Sequence, residues 1–228
     1  MSMTSDSGLS CSPNFFERSL IFPGRGVPLH AMLTSCGRQL ANRHTYDWDG
    51  LRRGDAEFAV WQFTIDGRGR LDVGGVSRAL EAGDAMLVVI PDKHRYFLPA
   101  DSLSWEFIYI CLAGREALRL CKELIVRRGN VARVEASSRT ALLAASILEK
   151  VKAGEIATQF EASSCAYQFV MSLLVEHLPS EPSESERPSC VRDAIEFCRK
   201  HLAAPIGVAE MARSAGLSRH HFSPKIAG

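Results

Sequence analysis

The sequence predicts an α+β fold: an antiparallel β-barrel or sandwich, then two amphipathic helices, then a short all-α piece. Three observations predict it. Residues 40 to 112 carry short β-branched and aromatic runs broken by Gly, Asp and Pro. From Ser137 to Leu178 the apolar period changes to steps of three and four. Residues 179–189, PSEPSESERPS, hold no apolar side chain and divide this body from a basic C-terminal piece.

The 228 residues, 46% hydrophobic and 23% charged, suffice for a buried core and more than one domain. Ala85 to Ile90 is an uninterrupted apolar run of six residues. That is far short of the ~20 a membrane helix needs, so no membrane partner is expected. Residues 1–14, MSMTSDSGLSCSPN, are Ser-rich with no basic-then-apolar segment, so they are expected to form a disordered tail and not a secretory signal. Seven cysteines (11, 36, 111, 121, 165, 190 and 198) form no CxxC pair and sit in apolar company, which fits a cytoplasmic location.

Within residues 15–136 the strands are expected in AEFAVWQFTI, RLDVGG, SRALEAGDAMLVVIP, KHRYFLP and LSWEFIYICL. Their spacing argues for an antiparallel sandwich or barrel. Asp66-Gly67 is expected to turn one hairpin and Gly83-Asp84 another. Ala85–Ile90 lacks polar alternation, as in a strand buried on both faces.

In residues 137–178, Leu143, Ile147 and Val151 step by four; Ala162, Ala166, Phe169, Val170, Leu173 and Leu174 continue the stripe after a break at Ala153-Gly154. Two helices follow from this period. Their apolar faces would cap the β-domain, and could also pair two copies of the chain. The linker, residues 179–189, cannot bury enough surface to offset its ordering.

Residues 191–228 carry six Lys or Arg against three acids, net +3, whereas the preceding 190 residues carry 21 against 23, net −2. A polyanion would therefore meet the C-terminal end. VRDAIEFCRKHL places Val191, Ala194, Ile195, Cys198 and Leu202 on one helical face. VAEMARSAGLSRHHF then has the parts of a helix-turn-helix. Ala212 is small where two helices touch. Gly216 tolerates the left-handed turn. Leu217 and Phe222 seal the angle, and Ser218 can cap the second helix. Ser218, Arg219, His220 and His221, with Lys225, are the candidate DNA contacts.

PIGVAEMARSAGLSRHHFS resembles the first helix-turn-helix of AraC/XylS-type bacterial transcription regulators. WQFTIDGRGRLDVGG, LEAGDAMLVVIPDKHRYFLP and SWEFIYICLAGREA resemble the sensor domain of the same family. The resemblance implies a cupin-like barrel over 15–136 that takes a small-molecule effector, a dimerising helical segment over 137–178, and a helix-turn-helix domain over 190–228. Its implied partners are promoter DNA, a second copy of the chain in a homodimer, and RNA polymerase. Where the family continues its recognition helix, this chain has Pro224, which costs ~3 kcal/mol inside a helix. That loss of pattern gives the expectation of a DNA-binding domain truncated within its first helix-turn-helix, with weak DNA binding.

A cupin barrel could instead house a metal enzyme. His94 lies where a late metal-binding histidine would, but His44 stands alone and no HxH pair precedes it. No metal, cofactor or catalytic residue is therefore expected. A ligand pocket lined by His94, Tyr96, Trp61, Trp105 and Tyr109 is the expected use of the barrel, with Arg43 or Arg95 available to an acidic effector.

Overall fold

A computed structural model describes residues 15–22, 27–178 and 188–222. The expected tail over 1–14, most of the linker, and Pro224 and Lys225 lie outside the described residues. The chain divides into two compact units at Leu178.

The first unit is built from strands β1 (Phe16–Ser19), β2 (Met32–Ala41), β3 (Asp47–Asp49), β4 (Phe58–Val73), β5 (Val76–Glu81), β6 (Asp84–Ile90), β7 (His94–Phe97), β8 (Trp105–Ala113) and β9 (Val131–Arg133). A 3-10 turn, Gly50–Arg52, follows β3. One antiparallel layer runs β1-β2-β8-β4-β6-β9, and β3, β5 and β7 complete the other side through β4. The long strand β4 therefore belongs to both layers. Its first part, from Phe58, pairs with β6 and β8, and its last part, to Val73, pairs with β5 and β7. The result is a cupin-like barrel in an α+β fold.

The hairpin expected at Asp66-Gly67 is absent. β4 runs through it with a register shift between Thr64 and Asp66. Such a bulge bends a strand and lets it change layers. Gly67 has φ +71, and a Cβ there would stand 2.2 Å from the Ser104 carbonyl oxygen. The tight turn is instead Gly74-Gly75, φ +59 and +78, joining Val73 to its partner Val76. Two consecutive positive φ angles match the right-handed twist of a two-residue hairpin. Gly83 also turns the chain, but β5 and β6 pair with different stretches of β4.

Strand alternation sends side chains into two separate cores. From β6, Ala85, Leu87 and Val89 face outward while Met86, Val88 and Ile90 face the barrel interior. This strand is buried on both faces, which is why it shows no polar alternation. The outer core is closed by three helices: α1 (Arg115–Arg128), α2 (Arg139–Ala153) and α3 (Gln159–His177). No helix was expected before Ser137. Yet REALRLCKELIVRR buries Ala117, Leu118, Cys121 and Leu124, a helical period. Ser138 caps α2 by accepting from the Ala141 N–H, and Gly154 ends it in the left-handed region. Thr158 and Glu161 form a reciprocal capping box at α3.

The second unit holds α4 (Ser189–Lys200) and α5 (Val208–Ser214), with a further helical turn from Arg219 to Phe222, where its description ends. α4 starts two residues before the expected Val191. Ala194, Ala212, Ala215 and Phe222 form its small core.

Candidate functional site

The barrel interior is filled at one end and hollow at the other. Trp105 fills it: the ring is fully buried, its indole N–H donates to Thr64 Oγ1 at 3.0 Å, and it packs on Phe107 and Tyr46. A Cβ on Gly69 would stand 2.2 Å from this ring, so the residue across from the indole has no side chain. Beyond lies a cavity of about 730 Å³ lined by Tyr46, Trp48, Arg53, Val60, Gln62, Tyr96 and Tyr109, with residues of β1 and β2 along its rim. That volume falls in the range of small-molecule sites.

Each wall has a local cause. On β4 the interior parity falls on Val60 and Gln62, and on β8 on Tyr109 and Cys111; Gln62 and Tyr109 are cross-strand partners. Gly37 of β2 lies opposite Tyr109, where a Cβ would come within 2.9 Å of the tyrosine ring. Tyr96 comes from β7, paired with Trp48 of β3. Arg53 follows the 3-10 turn that Asp49 caps by accepting the Leu51 N–H. Its guanidinium lies 4.5 Å from the Trp48 ring centroid and 5.1 Å from that of Phe58, and donates to the Tyr96 hydroxyl.

Electrostatics keep the phenols protonated. Burial raises the pKa of Tyr96, with the Arg53 charge acting against it. Burial also raises Tyr109, and the nearby Glu17 carboxylate adds to the effect. Glu17 is close enough to act on Tyr109, but the hydroxyl forms no well-aligned hydrogen bond among the described residues; neither does Nε2 of Gln62. A buried donor without an acceptor costs about 1–3 kcal/mol, so these groups are poised for an incoming partner.

Of the five pocket residues expected, the cavity brings together Tyr96 and Tyr109. Trp61 is a correction. Its parity on β4 points outward, and it stacks on Phe63 and meets Phe169 of α3 edge-on at 5.1 Å. Trp105 plugs the barrel and does not line the space. His94 is buried beside Gly50 and faces a different recess, shared with Asp49, Asp92 and Lys93. Its Nε2 has no partner among the described residues, and burial lowers its pKa against the opposing charge of Asp92. Arg95 is held by Asp47 at 2.6 Å, and Arg43 lies outside the cavity lining. Arg53, Gln62, Tyr46 and Trp48 were missed. Only Gln62 carried a signal, as the amide inside AVWQFTI. Among the described residues no group of three metal-binding side chains exists.

In the second unit, α5 ends at a sharp corner. Gly216 takes φ +66, the Leu217 N–H reaches back to the Ala212 carbonyl at 2.9 Å, and Ala212 is buried at the helix contact. Ser218 Oγ accepts from the His221 N–H and meets His221 Nδ1 at 2.9 Å. Arg219, His220 and His221 are exposed on the first turn that follows, while Phe222 turns inward.

Residues 39–170 match the family model of the AraC-like ligand binding domain. The chain belongs to this family. The match runs from the end of β2 through most of α3, and so contains most of the cavity lining, though not its rim residues before Gln39, and holds α1 and α2 whole. Solved structures similar to this chain include the AraC-like transcriptional activator CuxR, at 14% identity and TM-score 0.42, covering 83% of this chain and 66% of that one. ToxT from Vibrio cholerae O395 has 11% identity and TM-score 0.35, covering 84% of this chain and 73% of that one. A cupin 2 conserved barrel domain protein from Salinispora arenicola has 16% identity and TM-score 0.31, covering 54% and 95%. The chain thus spans about two thirds of CuxR. No curated protein matches it in sequence. No described helix is long and apolar enough to cross a membrane.

Proposed function

We propose that this chain is a ligand-responsive, sequence-specific DNA-binding regulator of transcription of AraC/XylS type, and not an enzyme. The carrying observation is a family-matched ligand domain with a hollow barrel lined by aromatic and polar side chains, in one chain with a helical corner that presents Arg219, His220 and His221 to solvent. The effector enters the barrel at Tyr96, Tyr109 and their neighbours. Ser218 to His221 and Lys225 meet promoter DNA, with phosphate contacts setting position and base edges setting sequence. Two copies of the chain pair through α3, whose Phe160, Tyr167, Met171 and Val175 form an exposed apolar stripe at helical spacing. RNA polymerase is the further partner on the promoter. Effector binding shifts the populations of states that differ in how dimer and DNA-binding unit are held.

The test is a mobility shift on promoter DNA of the chain's own genomic neighbourhood, across a salt series, with sedimentation to establish the dimer. Specific retardation that persists at ~150 mM salt and weakens on Arg219→Ala supports the reading. Only non-specific binding, lost by ~150 mM, would leave an effector-binding, dimerising module without autonomous DNA binding.

A further inference from the structure

We propose that the ligand of the barrel cavity is a small planar carboxylic acid. Its carboxylate lies on Arg53, and an acceptor oxygen at its far end meets Gln62 and Tyr109. This rests on the reading of the cavity as the effector site and adds the chemistry of the effector.

Arg53 sets the charge. The other rim arginine, Arg38, is spent on Glu106 at 2.5 Å. Arg53 is half-buried, and among the described residues its contacts are aromatic faces and the Tyr96 hydroxyl, with no carboxylate. A guanidinium offers five donors in a planar fork, which suits a carboxylate. Among the described residues the one carboxylate lining the cavity, Glu17, is exposed at the rim and accepts from Gln39 at 2.7 Å. A cationic ligand is disfavoured because the Arg53 charge, already seated against Trp48 and Tyr96, would repel it.

Gln62 and Tyr109 set the far end. Both are more than nine-tenths buried, at 2% and 7% exposure, and stand side by side across β4 and β8. The amide nitrogen of Gln62 only donates, so its missing partner must be an acceptor. Arg53 and Tyr96 belong to the side of the barrel formed by β3 and β7, Gln62 and Tyr109 to the opposite layer. One molecule meeting both ends ties the two layers together. Its body lies among Tyr46, Trp48 and Tyr96, which favours a flat ring.

The experiment is calorimetry on the full chain with 4-hydroxycinnamate, its primary amide, cinnamate and the neutral planar probe indole. 4-Hydroxycinnamate is expected to bind at least tenfold more tightly than its amide. Arg53→Gln should remove that preference, and Gln62→Leu should weaken 4-hydroxycinnamate but not cinnamate. The comparison of acid with amide uses the unaltered chain, so it decides even if Arg53→Gln fails to fold. Amide or indole binding as tightly as the acid would overturn the proposal while leaving the cavity a ligand site. Absence of heat with all four at two temperatures would overturn the proposal, leaving the effector-site reading to ligands of other chemistry.

Discussion

Trp61 and Gln62 are neighbours on β4, yet they face opposite worlds. The Trp61 side is dry and complete: the indole stacks on Phe63, meets Phe169 of α3, and lies in a core sealed by three helices. The Gln62 side opens on a cavity and holds donors without acceptors. Both residues are almost wholly buried. What separates them is completeness of packing and hydrogen bonding, and stability and function therefore part along a single strand. Residues on the outer face hold the barrel to its helices. Those on the inner face bear an energetic cost that a ligand can relieve.

That contrast is broken hardest from the outer side. Trp61→Ala or Phe169→Ala removes a large ring from a filled core and should destabilise the first unit by ~3–5 kcal/mol, read as a drop in the urea midpoint. Because the two rings touch, the double substitution should cost less than the sum of the singles. Equal additivity would mean that α3 does not rest on β4 through this pair. Ligand affinity, measured on whatever fraction remains folded, should change little.

Periodicity made much of this fold legible. β6 reads as buried on both faces because alternate residues feed the two cores, and the stripes of α2 and α3 are regular. α1 was equally legible in Ala117, Leu118, Cys121 and Leu124, but it falls between the last expected strand, ending at Leu112, and the first expected helix, beginning after Ser137. The bulge at Asp66 was not legible, since Asp-Gly serves a bulge as readily as a hairpin. The cavity was half legible. When both faces of a strand are buried, parity alone cannot say which is hollow, so Trp61 was assigned to the wrong side. Arg53 comes from a turn without periodicity, and its aromatic surroundings arise from β3, β4 and β7, which only the barrel closure brings together.

From the inner side the same strand should respond with the opposite sign. Gln62→Leu keeps most of the volume and removes the unpartnered amide, so the ligand-free protein should gain ~1 kcal/mol. A rise in melting temperature without ligand, together with weaker binding of an acceptor-bearing ligand, would sharpen the comparison. A loss of stability would show that the Gln62 carbonyl oxygen holds a structural bond worth more than its amide costs.

His94 gives the smallest effect and the one with a sign fixed by pH. Burial lowers its folded-state pKa below the ordinary 6.5, and its Nε2 lacks a partner among the described residues. Between the folded and unfolded pKa values the unfolded chain binds more protons, so stability must fall as pH drops below ~6.5. His177 is also lowered by burial and contributes in the same direction. The urea midpoint of the wild type should therefore fall from pH 7.5 to 5.5, and His94→Gln should fall less over the same interval. His177→Gln provides the comparison, because its ring lies at the end of α3, remote in sequence from the recess beside Gly50. If His94→Gln keeps the full pH dependence and His177→Gln loses it, the buried imidazole of the barrel is not the proton-sensitive group. The Asp92 charge would then offset the burial that disfavours the charged His94 ring.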